Sequence, residues 1–332
     1  MTTSNTQALP TIDFTKFANL SPFELKDKLI EVAQAVPDRI LLDAGRGNPN
    51  FLATLPRKAF LRLGDFAIEE SERSYSYLNE GFGGIPDGVG VVERFDTFAK
   101  ANPNRDGVTF LQKAISYAND RLGIDKQAFL HEFVNAFLAC NYPVPSRMLT
   151  NIEKVVKQYI GEEMYGPMPM TTDFDLFATE GGTASMAYTF ASMFNNGLLK
   201  KGDKVALVTP IFTPYLEIPE LAEYELEIVE LRLDEKNWQL PQSEIEKLAD
   251  TGIKLLCVVN PANPASVKFS NDTLDRLTDF VNTQRKDLFI ITDDVYGTFA
   301  DNFISLFAKL PYNTLCVYSF SKYFGATGWR LG

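Results

Sequence analysis

Five short apolar runs, at 204–209, 227–232, 254–259, 288–292 and 314–318, restrict the fold of this 332-residue chain more than any other feature. Helical patterns separate several of them, notably at 271–286, and a small-residue helix at 184–196 precedes the first. A further short apolar run lies at 174–178. Such runs lack the polar alternation of a strand with one wet face, so they predict an α/β fold: a mainly parallel sheet covered by helices on both sides. Ligands bind such sheets at the carboxyl ends of the strands. Those ends are where the chain gathers glycine, proline and polar residues.

Composition narrows the function classes. The chain carries 32 Lys and Arg against 43 Asp and Glu, a net charge of −11, and no basic block. A nucleic-acid surface needs concentrated positive charge. No apolar segment approaches the ~20 residues that cross a bilayer, and residues 1–10 lack an apolar signal core. The expectation is a cytoplasmic protein with neither nucleic acid nor membrane as partner. Three scattered cysteines, Cys140, Cys257 and Cys316, form no disulfide framework and no zinc site. His131 is the single histidine and sits in a helical pattern without a nucleophile elbow, so it receives no role.

The first half of the chain is mostly helical. Residues 1–20 read as an irregular arm, and helical spacing covers 22–35, 57–72, 91–100, 107–122, 125–139 and 147–160. The stretch 91–139 resembles a helical insertion. The glycines between 75 and 90 do not form G-x-G-x-x-G, and no P-loop occurs, which removes dinucleotide and P-loop readings. Ser243-Glu-Ile-Glu246 predicts a capping box that opens a short helix.

The strand ends carry the chemistry. Gly181-Gly182-Thr183 opens a helix, so free backbone N–H groups, a hydroxyl and the positive helix end converge on one anion site. Asn263 and Tyr296 offer hydrogen bonds. Asp293 closes a buried strand and there needs a cationic partner or a proton. After the last strand comes Ser319-Phe-Ser321-Lys322, with Arg330 eight residues further on. A partly buried lysine amine is suited to covalent carbonyl chemistry, and arginine to phosphate. Taken singly, each of these residues also fits an ordinary turn, cap or loop.

As a set they resemble the fold type I aminotransferases, which use pyridoxal 5′-phosphate. The order is Gly-Gly-Thr before a helix, an aromatic after a strand, N-P-x-N-P, D-x-x-Y and S-x-S-K-x(7)-R, spread over 173–332. The resemblance implies that Lys322 forms the Schiff base with the cofactor and that Asp293 pairs with the protonated ring nitrogen. It further implies that Asn263 and Tyr296 bond the ring oxygen. Gly181, Gly182, Thr183, Ser319, Ser321 and Arg330 would hold the phosphate. Phe212 would stack on the ring, its spacing to Pro210 favouring it over Tyr215. Arg46 and Gly47 would belong to a segment covering the substrate, and Tyr142 would reach a cofactor phosphate across a subunit interface. The family forms dimers, so a homodimer or higher homo-oligomer is expected.

Within that family, 168–183, 210–219 and 141–149 are similar to the aspartate 4-decarboxylases. These convert L-aspartate to L-alanine and CO2, with a side transaminase activity. The alternatives are an aspartate or alanine-type aminotransferase without decarboxylation, or an inactive scaffold protein. Loss of Lys322 or Asp293 would mark the scaffold, and both are present. The expected organisation is an arm and part of a small domain at 1–60 and a cofactor-binding large domain at 61–332. Family members continue well past the Arg330 position with a last strand, most of the small domain and the arginine for the substrate α-carboxylate. The expectation is therefore a fragment or truncated product with an incomplete small domain and weak or no turnover.

Overall fold

A computed structural model of the chain describes residues 14–17, 20, 22–35, 48–103, 105–141 and 147–332. Its centre is a five-stranded sheet of β1 (Lys204–Thr209), β2 (Glu227–Arg232), β3 (Ile253–Val259), β4 (Phe289–Asp293) and β5 (Thr314–Val317) in the order β2-β1-β3-β4-β5. Every neighbouring pair is parallel. The five strands lie at the expected apolar runs, and 174–178 lies outside them.

The sheet is buried on both faces because side chains alternate across it. Ala206 and Val208 of β1, Leu256 and Val258 of β3 and Ile290 of β4 enter one core, with Leu274, Leu277, Phe280 and Val281 of α10 (Asn271–Gln284). Their sequence neighbours Val205, Leu207, Leu255, Cys257 and Ile291 enter the opposite core. There they meet Met186, Phe190 and Met193 of α7 (Gly182–Asn195). Ser270 caps α10 by accepting from the Thr273 amide at 3.2 Å.

Four helices form a separate layer with its own core: α2 (Thr54–Ser74), α3 (Val91–Ala101), α4 (Asp106–Leu122) and α5 (Lys126–Phe137). Phe66 packs on Phe95 and Phe98 with ring centres 5.1 and 5.4 Å apart. Helices α2 and α4 approach so closely at Gly107 that a Cβ there would lie 2.5 Å from the Lys58 carbonyl. The buried carboxylate of Glu70 crosses this layer to Arg94, with two contacts of 2.6 Å. The expected insertion at 91–139 is thus one part of a unit that includes α2. The expected domain division near residue 60 falls inside that continuous helix. One expectation fails: the short helix Gln242–Ile245 starts after Pro241, no side chain caps it, and Ser243 lies inside it. The fixed φ of Pro241 starts the turn earlier, and Glu244 instead accepts from the Arg232 amide of the neighbouring strand at 2.8 Å.

The register sets up the site. Val259 lies opposite Asp293, and Asp293 opposite Val317, so the carboxyl ends of β3, β4 and β5 are level. The candidate residues follow those tips within a few positions: Asn263 after β3, Tyr296 after β4 and Lys322 after β5. Phe212 follows β1 in the same way.

Candidate functional site

Asp293 sits at the middle of this edge. It is buried, and among the described residues its carboxylate receives only the Tyr215 hydroxyl and the Val295 amide, each at 3.3 Å. No ion-pair partner reaches it among the described residues. Burial pushes its carboxyl up to about 6, with those two donors opposing. Tyr296 lies nearby: burial, and then the charge of Asp293, raise its hydroxyl.

Tyr215 was the alternative stacking ring, and the structure gives it a different position. It is fully buried and hydrogen-bonded to Asp293, so it offers no open face. Phe212, three residues earlier, is only partly buried and packs against the α7-side core. The signal for Tyr215 as a partner of Asp293 was absent from local spacing, because the two are 78 residues apart.

A second group of residues converges around the start of α7. Gly181 precedes the helix with φ +102° and ψ 168°, a conformation open to glycine alone. A Cβ there would lie 2.5 Å from Nη2 of Arg330. Arg330 is held by Nη2 to the Glu180 carbonyl at 2.9 Å and by Nη1 to the Thr327 carbonyl at 3.0 Å. Gly182 faces Ser319, whose Cβ would lie 3.6 Å from a Cβ at 182. The Ser319 hydroxyl donates to Ser321 Oγ at 2.9 Å and accepts from the Ser321 amide at 3.2 Å. Gly181, Gly182, Ser319, Ser321 and Arg330 are therefore brought together. The first amides of α7 have no intrahelical acceptor, and the guanidinium adds positive charge beside them. Thr183, in the first turn of α7, is exposed.

Lys322 lies in the turn between Ser321 and Gly325, half-buried, and burial holds its amine below the usual lysine range. This turn is clamped from the helical layer. Arg57 of α2 donates to the carbonyls of Gly325 and Ala53, each at 2.7 Å, and lies 5.0 Å from the centre of the Trp329 ring. Gly325 has φ +57°, and a Cβ there would lie 2.2 Å from the Phe51 carbonyl oxygen. A cavity of about 240 Å³ opens beside the clamp, lined by Asn48, Leu52, Arg57 and residues 325–329. Asn263 is partly buried past the tip of β3. Arg46, Gly47 and Tyr142 lie outside the described residues. Sequence reasoning missed the Arg57 clamp, which depends on contact across 268 positions.

The description "aminotransferase class I and II" fits residues 150–332 of this chain. A bifunctional aspartate aminotransferase and L-aspartate beta-decarboxylase of a Pseudomonas species is 57% identical over 321 residues, which are 96% of this chain and 60% of that protein. An aspartate aminotransferase of Pyrococcus abyssi is 31% identical over 143 residues, covering 41% of this chain and 36% of its own length. The chain thus spans less than two thirds of the curated relatives described here. Among solved structures, the Pyrococcus protein A1 superposes with a TM-score of 0.56 at 20% identity, covering 96% of this chain and 62% of its own. The alanine aminotransferase of Pyrococcus furiosus does so with 0.50 at 23%, covering 62% and 50%. These two likenesses establish the fold: a mainly parallel sheet with flanking helices. With a family match across more than half of its length, including every residue of the strand-end cluster, the chain belongs to the class I and II aminotransferase family.

Proposed function

We propose that the protein is a pyridoxal 5′-phosphate enzyme that removes the β-carboxyl group of L-aspartate, giving L-alanine and CO2, with a side transaminase activity. The substrate assignment is carried by the 57% identity to the bifunctional Pseudomonas enzyme along nearly the whole chain. A plain aspartate aminotransferase is the second reading, supported by the weaker likeness to the Pyrococcus abyssi enzyme.

The residues present fit the cofactor. Asp293 is a buried carboxylate with no cation beside it among the described residues, and a protonated ring nitrogen would complete its pairing. Gly181 leaves open the contact with Arg330 that a Cβ would occupy. The guanidinium, the Gly182 amide and the Ser319 and Ser321 hydroxyls would hold a phosphate, with Thr183 at its outer side. Phe212 would lie on the ring face, and Asn263 and Tyr296 would bond the ring oxygen. The bound cofactor supplies an electron sink for the charge left on substrate carbon when a proton or CO2 departs.

The protein's own groups then do the rest. Lys322 Nζ would carry the cofactor and, once freed, move the proton from the substrate α-carbon; its lowered amine range keeps more of it neutral for that task. Asp293 would keep the ring nitrogen protonated. In the decarboxylation the bond to the β-carboxyl group breaks, CO2 leaves, and the β-carbon takes a proton to become the methyl group of alanine. Exclusion of water favours this outcome over hydrolysis. Arg46 and Gly47 would cover the substrate, and Tyr142 would contribute to the cofactor site of a neighbouring subunit. We extend the proposal to a cytoplasmic homo-oligomer, consistent with free cysteines and a net charge of −11. No helix among the described residues is long and apolar enough to cross a membrane.

The test is to feed L-aspartate to the purified, cofactor-supplied protein without any keto acid. Alanine and CO2 in equal amounts support decarboxylation. Turnover that requires a keto acid and yields oxaloacetate replaces it with the aminotransferase reading.

A further inference from the structure

The tip of β4 carries a second carboxyl group that the reaction above does not use. Asp294, the first residue past β4, is fully buried. Three side-chain donors from three segments reach it. Thr292 Oγ1 of β4 donates to Oδ1 at 2.6 Å, and Ser305 Oγ to Oδ2 at 2.5 Å. Cys316 Sγ of β5 donates to Oδ2 at 3.5 Å. Its own amide donates to the Val317 carbonyl at 2.9 Å, at the register position opposite Asp293. Ser305 also caps the short helix Leu306–Lys309 by accepting from the Phe307 amide at 2.9 Å.

We propose that Asp294 is a positioning residue for Asp293, clamping the tips of β4 and β5 and placing a second ionisable carboxylate behind the cofactor's ring nitrogen. Here every donor is a hydroxyl or thiol, which stabilises an anion and still tolerates a bound proton. The titratable groups acting on Asp294 are Asp293, which raises its carboxyl, and the Cys316 thiol, which lowers it by hydrogen bonding. Asp294 in turn raises the Cys316 thiol and the Tyr215 hydroxyl that bonds Asp293. Burial raises the Asp294 carboxyl to about 7, with the Ser305 and Thr292 hydroxyls opposing. A cation on the ring nitrogen draws it toward the anion, and the anion in turn makes protonated groups of the cofactor harder to deprotonate.

This rests on the reading that Asp293 faces the cofactor. The experiment titrates the visible absorbance of bound pyridoxal 5′-phosphate with pH in the native protein and in Asp294→Asn, with thermal melting of each cofactor-free protein alongside. Removing the charge lowers the pH of the absorbance transition by about half a unit to one unit. An unmoved transition, with or without a lower melting temperature, assigns Asp294 a purely structural role and overturns the proposal. If Asp294→Asn does not fold, Thr292→Val is titrated instead. It keeps the β-branched shape and removes one donor, so it shifts the transition the same way, and no shift overturns the proposal. A native protein that binds no cofactor refutes the underlying reading itself, an outcome distinct from the others.

Discussion

Replacing Gly181 with alanine tests the phosphate site at its most constrained atom. The native φ of +102° with ψ of 168° belongs to a region essentially reserved for glycine, and forcing alanine into it costs about 1–3 kcal/mol. The added Cβ also lies 2.5 Å from Arg330 Nη2, so the guanidinium must leave its bond to the Glu180 carbonyl. A charge-assisted bond of that type contributes about 1.5–3 kcal/mol, and the same displacement removes the guanidinium from the phosphate. The dissociation constant for pyridoxal 5′-phosphate should therefore rise about 10- to 100-fold. Pyridoxal, which lacks the phosphate, should lose less than about threefold in the same variant. Fluorescence titration of cofactor-free protein with both compounds gives the two constants. Equal weakening for both, or none for either, refutes the argument that Gly181 serves a phosphate held beside Arg330.

Two further substitutions follow from the same geometry. Arg57→Ala removes the two 2.7 Å bonds that tie α2 to the Lys322 turn. It should destabilise the protein by about 1–3 kcal/mol and speed cofactor release, measured by melting and by dilution of the bound form. Unchanged release would show that the clamp does not steady the turn. Asp293→Asn tests linkage. Burial raises this carboxyl from 3.8 to about 6, so the native state holds its proton where the unfolded chain has released it. That contribution is complete below about pH 4 and lost as pH rises through about 6. At pH 7.5 the ionised carboxylate is a burden on the cofactor-free protein, up to about 3 kcal/mol. The amide should therefore melt higher without cofactor, yet bind pyridoxal 5′-phosphate more weakly. A variant that melts lower in the absence of cofactor would contradict the assigned cause.

Much of the architecture was legible because it depends on contiguous residues. The apolar run at 254–259 could only be a covered strand, and it is one from Ile253 to Val259. The helix at Asn271–Gln284 announced itself through its periodicity. Glycine and proline marked the strand ends, and the register of β3, β4 and β5 then made those ends coincide. What stayed hidden depends on partners distant in sequence. Tyr215 reads as a loop aromatic until Asp293 is seen beside it. Asp294 reads as a neighbour of Asp293 until Ser305 and Cys316 close around it.

The central claim is that the cofactor is anchored at Lys322. It is tested most directly by reducing the pyridoxal 5′-phosphate-bound protein with borohydride and mapping the modified peptide. The account predicts one stable adduct, on the peptide containing Lys322, and none when Lys322 is replaced by alanine. An adduct on another lysine, or one that survives in the Lys322→Ala variant, would contradict it.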